Sequence, residues 1–264
     1  MTSRIRRLFL LAGIGLLAAA GAHTAQGAEA CPGQPGALGT ARVLEIDPKG
    51  VRVGMKSFPQ TLPLAPKEVV LTFDDGPWPK TTAAILDALK AECVRATFFL
   101  IGENAKSRPE LVKREIAEGH TVAHHTMTHP AATLAKLPFP DAVKEIERGM
   151  IADDAAAYGK AEAAPRVPFF RFPGFASTPQ LLDALEAKGV AVFGADFWAS
   201  DWNVMTPEAE LDLVLKRLDA TGGGIVLFHD TKPYTAAMIP DFLKALKARG
   251  YSVVHMVPKG SGRS

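Results

Sequence analysis

The sequence predicts an α/β fold: a closed or nearly closed barrel of about seven parallel strands, preceded by a short N-terminal extension. Two observations predict it. From Glu68 onward, short apolar runs alternate with amphipathic helical stretches, the texture of repeated βα units. Each conspicuous polar cluster falls just after one of the apolar runs, where a βα barrel builds its sites. Length and composition agree. The 264 residues, 47% hydrophobic and 22% charged, suit one large domain or two small ones and exclude a disordered chain. An open doubly wound sheet shares the alternation but explains the strand-end clusters less well.

Residues 1–30 read as an export signal. Arg4, Arg6 and Arg7 head an apolar run from Leu8 to Ala20, and Ala28-Glu29-Ala30 offers a small-x-small cleavage site before Cys31. The run is short for a membrane span, so no stable membrane anchor is expected. The expected destination is periplasmic or extracellular, and Arg6-Arg7-Leu8-Phe9-Leu10 suggests the twin-arginine route. This segment also carries the formal charge of +2: taking its three arginines and one glutamate from 30 basic and 28 acidic residues leaves 27 of each. A neutral remainder has no long-range field to gather phosphates, so nucleic acid is not an expected partner. Cys31 and Cys93 make neither a disulfide framework nor a zinc knuckle. In an oxidising compartment they could pair; the alternative is a buried Cys93 and a free Cys31.

Residues 31–66, rich in Pro and Gly, read as an extension with one hairpin, its strands at 43–46 and 51–53 around Asp47-Pro48-Lys49-Gly50. The barrel domain spans 67–258. Its strands are expected at 69–73, 96–101, 121–123, 169–172, 190–195, 225–228 and 252–255, and its helices at 81–91, 109–118, 141–158, 179–188, 207–220 and 240–249. Prolines at several helix starts suit first-turn positions, and Gly119, Gly189 and Gly250 suit helix stops. Residues 259–264 are a tail.

The strand-end clusters carry the chemistry. Asp74 and Asp75 are adjacent carboxylates halted by Gly76-Pro77; they repel unless a cation neutralises one or a base role tolerates the other. An ordinary Asp-Gly-Pro turn is the plain alternative. His125 and His129, four apart, can share a face of one helical turn before Pro130. Thr126 stands where a zincin helix needs Glu. Joined to Asp75, the two histidines make a three-ligand set with an open position, as catalytic zinc uses. Trp78, Trp198 and Trp202 lie near these clusters, suited either to the apolar faces of sugars or to filling the barrel top.

Thr72–Pro77, the run from Gly119 through His125 and His129 to Pro130, Arg171-Phe172-Pro173, Asp201-Trp202 and Leu227-Phe228-His229 resemble five ordered motifs of the polysaccharide deacetylase family. This is carbohydrate esterase family four, with the nodulation-protein-B homology domain. The resemblance implies a distorted (β/α) barrel and one divalent metal on Asp75, His125 and His129, zinc first, with cobalt or nickel as alternatives. It implies Asp74 as general base, paired with Arg171; the alternative for Arg171 is a surface salt bridge. It also implies the Gly174 N–H as oxyanion donor and His229 as acid toward the departing amine, oriented by Asp201, though Asp196 competes for that place. Leu227 would floor the acetyl pocket, with Trp202, Trp78 and Tyr234 along the cleft. His120 would support the metal loop.

The implied function is exported, metal-dependent hydrolysis of N-acetyl groups on N-acetylglucosamine polymers or oligomers, peptidoglycan or chitin-like. An amine is a poor leaving group and needs an acid, which favours N- over O-deacetylation. An O-acetyl esterase on a glycan such as xylan, and a catalytically silent carbohydrate-binding protein, are the rival readings. The sequence does not set the oligomeric state; a monomer is the simplest expectation.

Overall fold

The computed structural model describes Cys31 and residues 34–260; the expected export signal, 1–30, and most of the tail lie outside the described residues. In chain order the strands are β1 (Thr40–Ile46), β2 (Arg52–Val53), β3 (Glu68–Asp74), β4 (Thr97–Leu100), β5 (Thr121–His124), β6 (Phe169–Phe170), β7 (Ala191–Phe193), β8 (Phe197–Trp198), β9 (Gly224–His229) and β10 (Ser252–Pro258). The helices are α1 (Thr81–Ala91), α2 (Gly102–Ser107), α3 (Pro109–Ala117), α4 (Phe139–Tyr158), α5 (Pro179–Ala187), α6 (Pro207–Thr221) and α7 (Pro233–Ala248). Every strand pairing is parallel. Around the wall the order is β8-β9-β3-β4-β5-β6-β7-β2, while β10 pairs with the first two residues of β3 and carries β1 beyond it.

Strand alternation decides what faces inward. Val70, Phe99, Ala123, Phe169, Phe193 and Ile225 form one buried cluster with Leu62, Val254 and Met256. Their strand neighbours Leu71, Phe73, Phe98, Val122, Val226 and Phe228 pack in a second cluster with residues of the surrounding helices. Stepping two residues along each strand leads from Val70 to Thr72 and Asp74, from Ala123 to His125, from Phe169 to Arg171, and from Ile225 to Leu227 and His229. The period that places apolar residues at the foot of the barrel therefore places the polar ones at its mouth.

The structure corrects several expectations. The seven strands expected in the barrel domain are β3, β4, β5, β6, β7, β9 and β10; among the described residues the extension adds β1 and β2, and the additional β8 is too short to show as an apolar run. Residues 40–53 form no hairpin: a turn closes at Val51 N–H to Pro48 C=O, but β1 pairs with β10 and β2 with β7. Open backbone groups on those strands offered parallel partners that a two-residue β2 could not replace by folding back on β1. Pro240 opens no helix; it lies on the exposed face inside α7, which begins seven residues earlier at Pro233. Cys31 and Cys93 are joined as a disulfide, with Cα atoms 5.7 Å apart, tying the extension to the turn after α1.

The extension also helps close the wall. Gly54 lies so near Gly194, just past β7, that a Cβ on it would overlap that backbone. Beside this contact Asp196 acts as a clasp. Its Oδ1 accepts the Met55 N–H at 2.8 Å, and its Oδ2 accepts the Thr61 hydroxyl at 2.6 Å and the Ile225 N–H at 2.7 Å. Asp196→Ala leaves a buried strand N–H and two further donors unpaired. It should lower unfolding free energy by about 2–4 kcal/mol, read from the denaturant midpoint, with far-UV dichroism of the folded state unchanged.

Candidate active site

Asp75, His125 and His129 converge, each offering a ligand atom within 4.8 Å of the others. Asp75 Oδ1 lies 3.6 Å from His125 Nε2 and 3.7 Å from His129 Nε2. The expected helical turn is absent: residues 125–130 form an irregular loop with positive φ at Thr126 (76°) and His129 (50°). The Thr126 hydroxyl accepts the His129 N–H, and Gly149 of α4 packs so tightly on Thr126 and Met127 that a Cβ there would overlap the loop backbone. The loop is thus shaped by packing from outside the barrel.

The donor set fits a divalent cation. Asp75 Oδ1 is buried without a hydrogen-bond partner, an arrangement that costs free energy unless something binds it. His125 Nδ1 lies 2.8 Å from the Arg171 carbonyl, which can only accept, so the proton sits on Nδ1 and the Nε2 lone pair faces Asp75. Burial lowers the His125 pKa to about 3, keeping the imidazole neutral as ligation requires. Two imidazole nitrogens and a carboxylate suit zinc, cobalt or nickel.

Asp74 lies beside this trio, its Oδ2 3.8 Å from His125 Nε2. Arg171 holds its other oxygen at 2.6 Å and is no surface salt bridge; its side chain is wholly buried. The guanidinium also donates to Thr72 Oγ1 (2.9 Å), Phe193 O (3.3 Å) and Gly194 O (2.9 Å), and lies over the Phe99 ring. Burial pushes the Asp74 carboxyl above its ordinary range, with the Arg171 charge pulling the other way.

Across the mouth, His229 Nδ1 meets Asp201 Oδ1 at 2.7 Å, and the His229 N–H donates to Asp201 Oδ2 at 2.6 Å. Asp201, not Asp196, is therefore the partner of His229. Burial alone would lower this imidazole's pKa. The Asp201 hydrogen bond and charge, with Asp75 and Asp74, outweigh burial and raise it to about 9. Behind Asp201 the Thr235 hydroxyl bridges to Glu210, whose carboxyl burial and the Asp201 charge lift to about 8.

A cavity of about 250 Å³ opens between these groups, lined by Asp74, His125, His129, Phe172, Gly174, Phe175, Trp198, Trp202, Leu227 and His229. Phe175 stacks on Trp198, so the residue after Gly174 supplies an aromatic wall. Trp78 and Tyr234 do not line it. Trp78 lies under the Arg108 guanidinium, and the Tyr234 hydroxyl donates to the Asp201 carbonyl, each engaged by a nearer partner. His120 accepts the Ala96 N–H at the other end of the barrel, below rather than beside the metal loop. Two larger hollows, of about 410 and 470 Å³, flank α4, but neither is lined by histidine.

The profile of the polysaccharide deacetylase family matches residues 62–193. The chain belongs to the polysaccharide deacetylase family. This family places it among hydrolases of acetyl groups on polysaccharides. Over 191 residues it is 39% identical to a peptidoglycan-N-acetylglucosamine deacetylase of Bacillus cereus, covering 70% of this chain and 67% of that protein. It is 33% identical to a chitooligosaccharide deacetylase of Sinorhizobium fredii, covering 72% and 90%. Among solved structures, a peptidoglycan deacetylase of Bdellovibrio bacteriovorus superposes with a TM-score of 0.72 at 34% identity, over 83% of this chain and 59% of that one.

Sequence reasoning gave no role to Thr72, though it opens the first motif, and missed Thr235, Glu210 and Asn104, whose amide donates to the Asp75 carbonyl at 2.7 Å. Thr72 was within reach, two residues before Asp74 on the same strand face; the other three carry no local signal. A pKa of about 9 for His229 against an ordinary 6.5 means its ion pair stabilises the fold fully below pH 6.5 and is lost as pH rises through 9. In metal-free Asp201→Asn, the imidazole midpoint in an NMR titration should fall well below 9, and stability should lose most of that pH dependence.

Proposed function

We propose that this chain is an exported, metal-dependent N-deacetylase that releases acetate from N-acetylglucosamine-type glycan, peptidoglycan or chitin-like. The observation that carries this reading is the open cation cage of Asp75, His125 and His129, flanked by the buried Asp74–Arg171 pair and by the His229–Asp201 pair. The names of the Bacillus and Sinorhizobium relatives support the substrate class. A basic and apolar leader and the Cys31–Cys93 disulfide support export, with the twin-arginine route as the working assignment.

Asp75, His125 and His129 would hold a divalent cation, which would supply Lewis acidity toward the acetyl carbonyl and the attacking water. Asp74 takes one proton from the attacking water as the new C–O bond forms. Arg171 keeps Asp74 aimed and favours its ionised state. The Gly174 N–H donates to the developing oxyanion, and Leu227 floors the acetyl methyl. As the C–N bond breaks, the His229 imidazolium gives its proton to the departing nitrogen, steadied by Asp201. Trp202 and Phe175, with the edge of Trp198, line the cavity and offer aromatic surface to the sugar rings.

Acetate release from N-acetylglucosamine oligomers, peptidoglycan and acetylxylan, with and without chelator, tests the reading. Release from the first two, abolished by chelator and restored by zinc, is expected; release from acetylxylan alone would make the chain an O-acetyl esterase, and no release would leave a binding protein. Asp74→Asn should lower kcat about a thousandfold while metal content is retained. His125→Ala should lose zinc, measured by elemental analysis, and undiminished stoichiometric zinc would remove it from the ligand set.

A further inference from the structure

The proposed catalytic groups leave one charged side chain beside the cleft without a use. Lys56 belongs to the extension, outside residues 62–193 matched by the family. Its backbone is pinned in the barrel wall: the Lys56 N–H donates to Ala195 O at 2.9 Å, the Met55 N–H to Asp196 at 2.8 Å, and the Ser57 and Phe58 N–H groups to Gly54 O. From this fixed base the ammonium reaches over the Trp198 ring, 5.2 Å from its centroid. Trp198 in turn lines the cavity, stacked on Phe175 and edge-on to Trp202. Among the described residues no carboxylate forms an ion pair with Lys56, and the residue is exposed.

The charge around the mouth is unevenly spread. At the reacting end Asp74 and Asp201 are matched by Arg171 and His229, so those charges already have partners. Lys56 lies instead over Trp198 at the aromatic wall, where a sugar next to the reacting one would carry its substituents. A neutral N-acetylglucosamine oligomer offers that cation hydrogen-bond acceptors but no charge. A glycan whose alternate sugars bear a carboxylate offers both.

We infer that Lys56, seated on Trp198, forms an anion subsite that takes a carboxylate on the sugar next to the one losing its acetyl group, so that the cleft favours anionic glycan over neutral oligomers. This rests on the deacetylase reading and narrows its substrate to the carboxylated, peptidoglycan-like class. The carboxylate has two sources, the lactyl ether on the sugar itself or the peptide attached there.

Steady-state rates of Lys56→Met, Lys56→Arg and Lys56→Glu on four tetrasaccharides test it: neutral chitotetraose, peptide-free glycan with a free lactyl carboxylate, the same glycan amidated at that carboxyl, and peptide-bearing glycan. Lys56→Met should raise KM for carboxylated glycan about threefold to fivefold, the scale of one exposed ion pair, with kcat held and the neutral and amidated substrates shifted less than twofold. Lys56→Arg should restore the preference and Lys56→Glu should deepen the loss, and added salt should shrink both differences. Loss confined to the free-lactyl arm assigns the sugar carboxylate, and loss confined to the peptide arm assigns the peptide. Equal losses on all four substrates, or none, overturn the subsite. If the parental enzyme releases acetate from no substrate, the deacetylase reading fails on its own. Calorimetric binding of the carboxylated glycan to Asp74→Asn, with and without Lys56→Met, then still reads Lys56, and equal affinities overturn it.

Discussion

The organisation of the mouth depends on one buried ion pair, Arg171 with Asp74. Moving a guanidinium and a carboxylate out of water costs several kcal/mol for each ion, and their mutual attraction offsets this only if the remaining donors are satisfied. The barrel meets that condition with groups from three strands. Thr72 belongs to β3, the Phe193 and Gly194 carbonyls lie at the end of β7, and the Phe99 ring from β4 lies against the guanidinium plane, while Arg171 itself follows β6. A charge so placed cannot be solvated if any of these shifts, so the pair commits the surrounding strands to one arrangement. The Arg171 carbonyl adds a second consequence, because it fixes the His125 tautomer and ties the aim of a candidate ligand to the same residue.

The N-terminal extension is part of this arrangement and not an ornament on it. The Gly194 carbonyl that receives Arg171 belongs to the residue against which Gly54 packs. Asp196, two residues on, binds the extension on one side and β9 on the other. Strand β9 then leads through Leu227 to His229. The wall that carries His229 is therefore held to the wall that carries Arg171 partly by residues 54–61, which lie outside the family match.

Most of the site was legible because it follows a two-residue period. Once the strands after Glu68 are recognised, the inward set Asp74, His125, Arg171, Leu227 and His229 follows from the pleat, and the motifs name the same residues. What was not legible depended on contacts distant in sequence. No pattern within 40–53 distinguishes a hairpin from two strands that each find a parallel neighbour more than a hundred residues away. The His125–His129 spacing suited a helical turn, yet the loop is set by Gly149, twenty residues downstream on α4. Glu210 reads as one more acidic residue in the first turn of α6, and only the fold brings it through Thr235 to Asp201.

The two halves of the mouth differ in how they carry charge, and the difference follows from exposure to the barrel interior. Asp74 is paired with Arg171, fixed by buried donors, and also feels the His229 charge, but burial prevails over both and raises its pKa, so it accepts a proton more readily than a free aspartate. His229 has the reverse balance: burial works against its charge, but three carboxylates face it, so it keeps its proton to about pH 9. In the proposed amide hydrolysis this contrast suits the two proton transfers, since water must lose a proton toward Asp74 as the nitrogen gains one from His229. Neither property belongs to the side chain alone. Exchanging the surroundings, with Asp74 at the solvated rim and His229 away from Asp201, would leave both residues in the same sequence positions and remove the contrast.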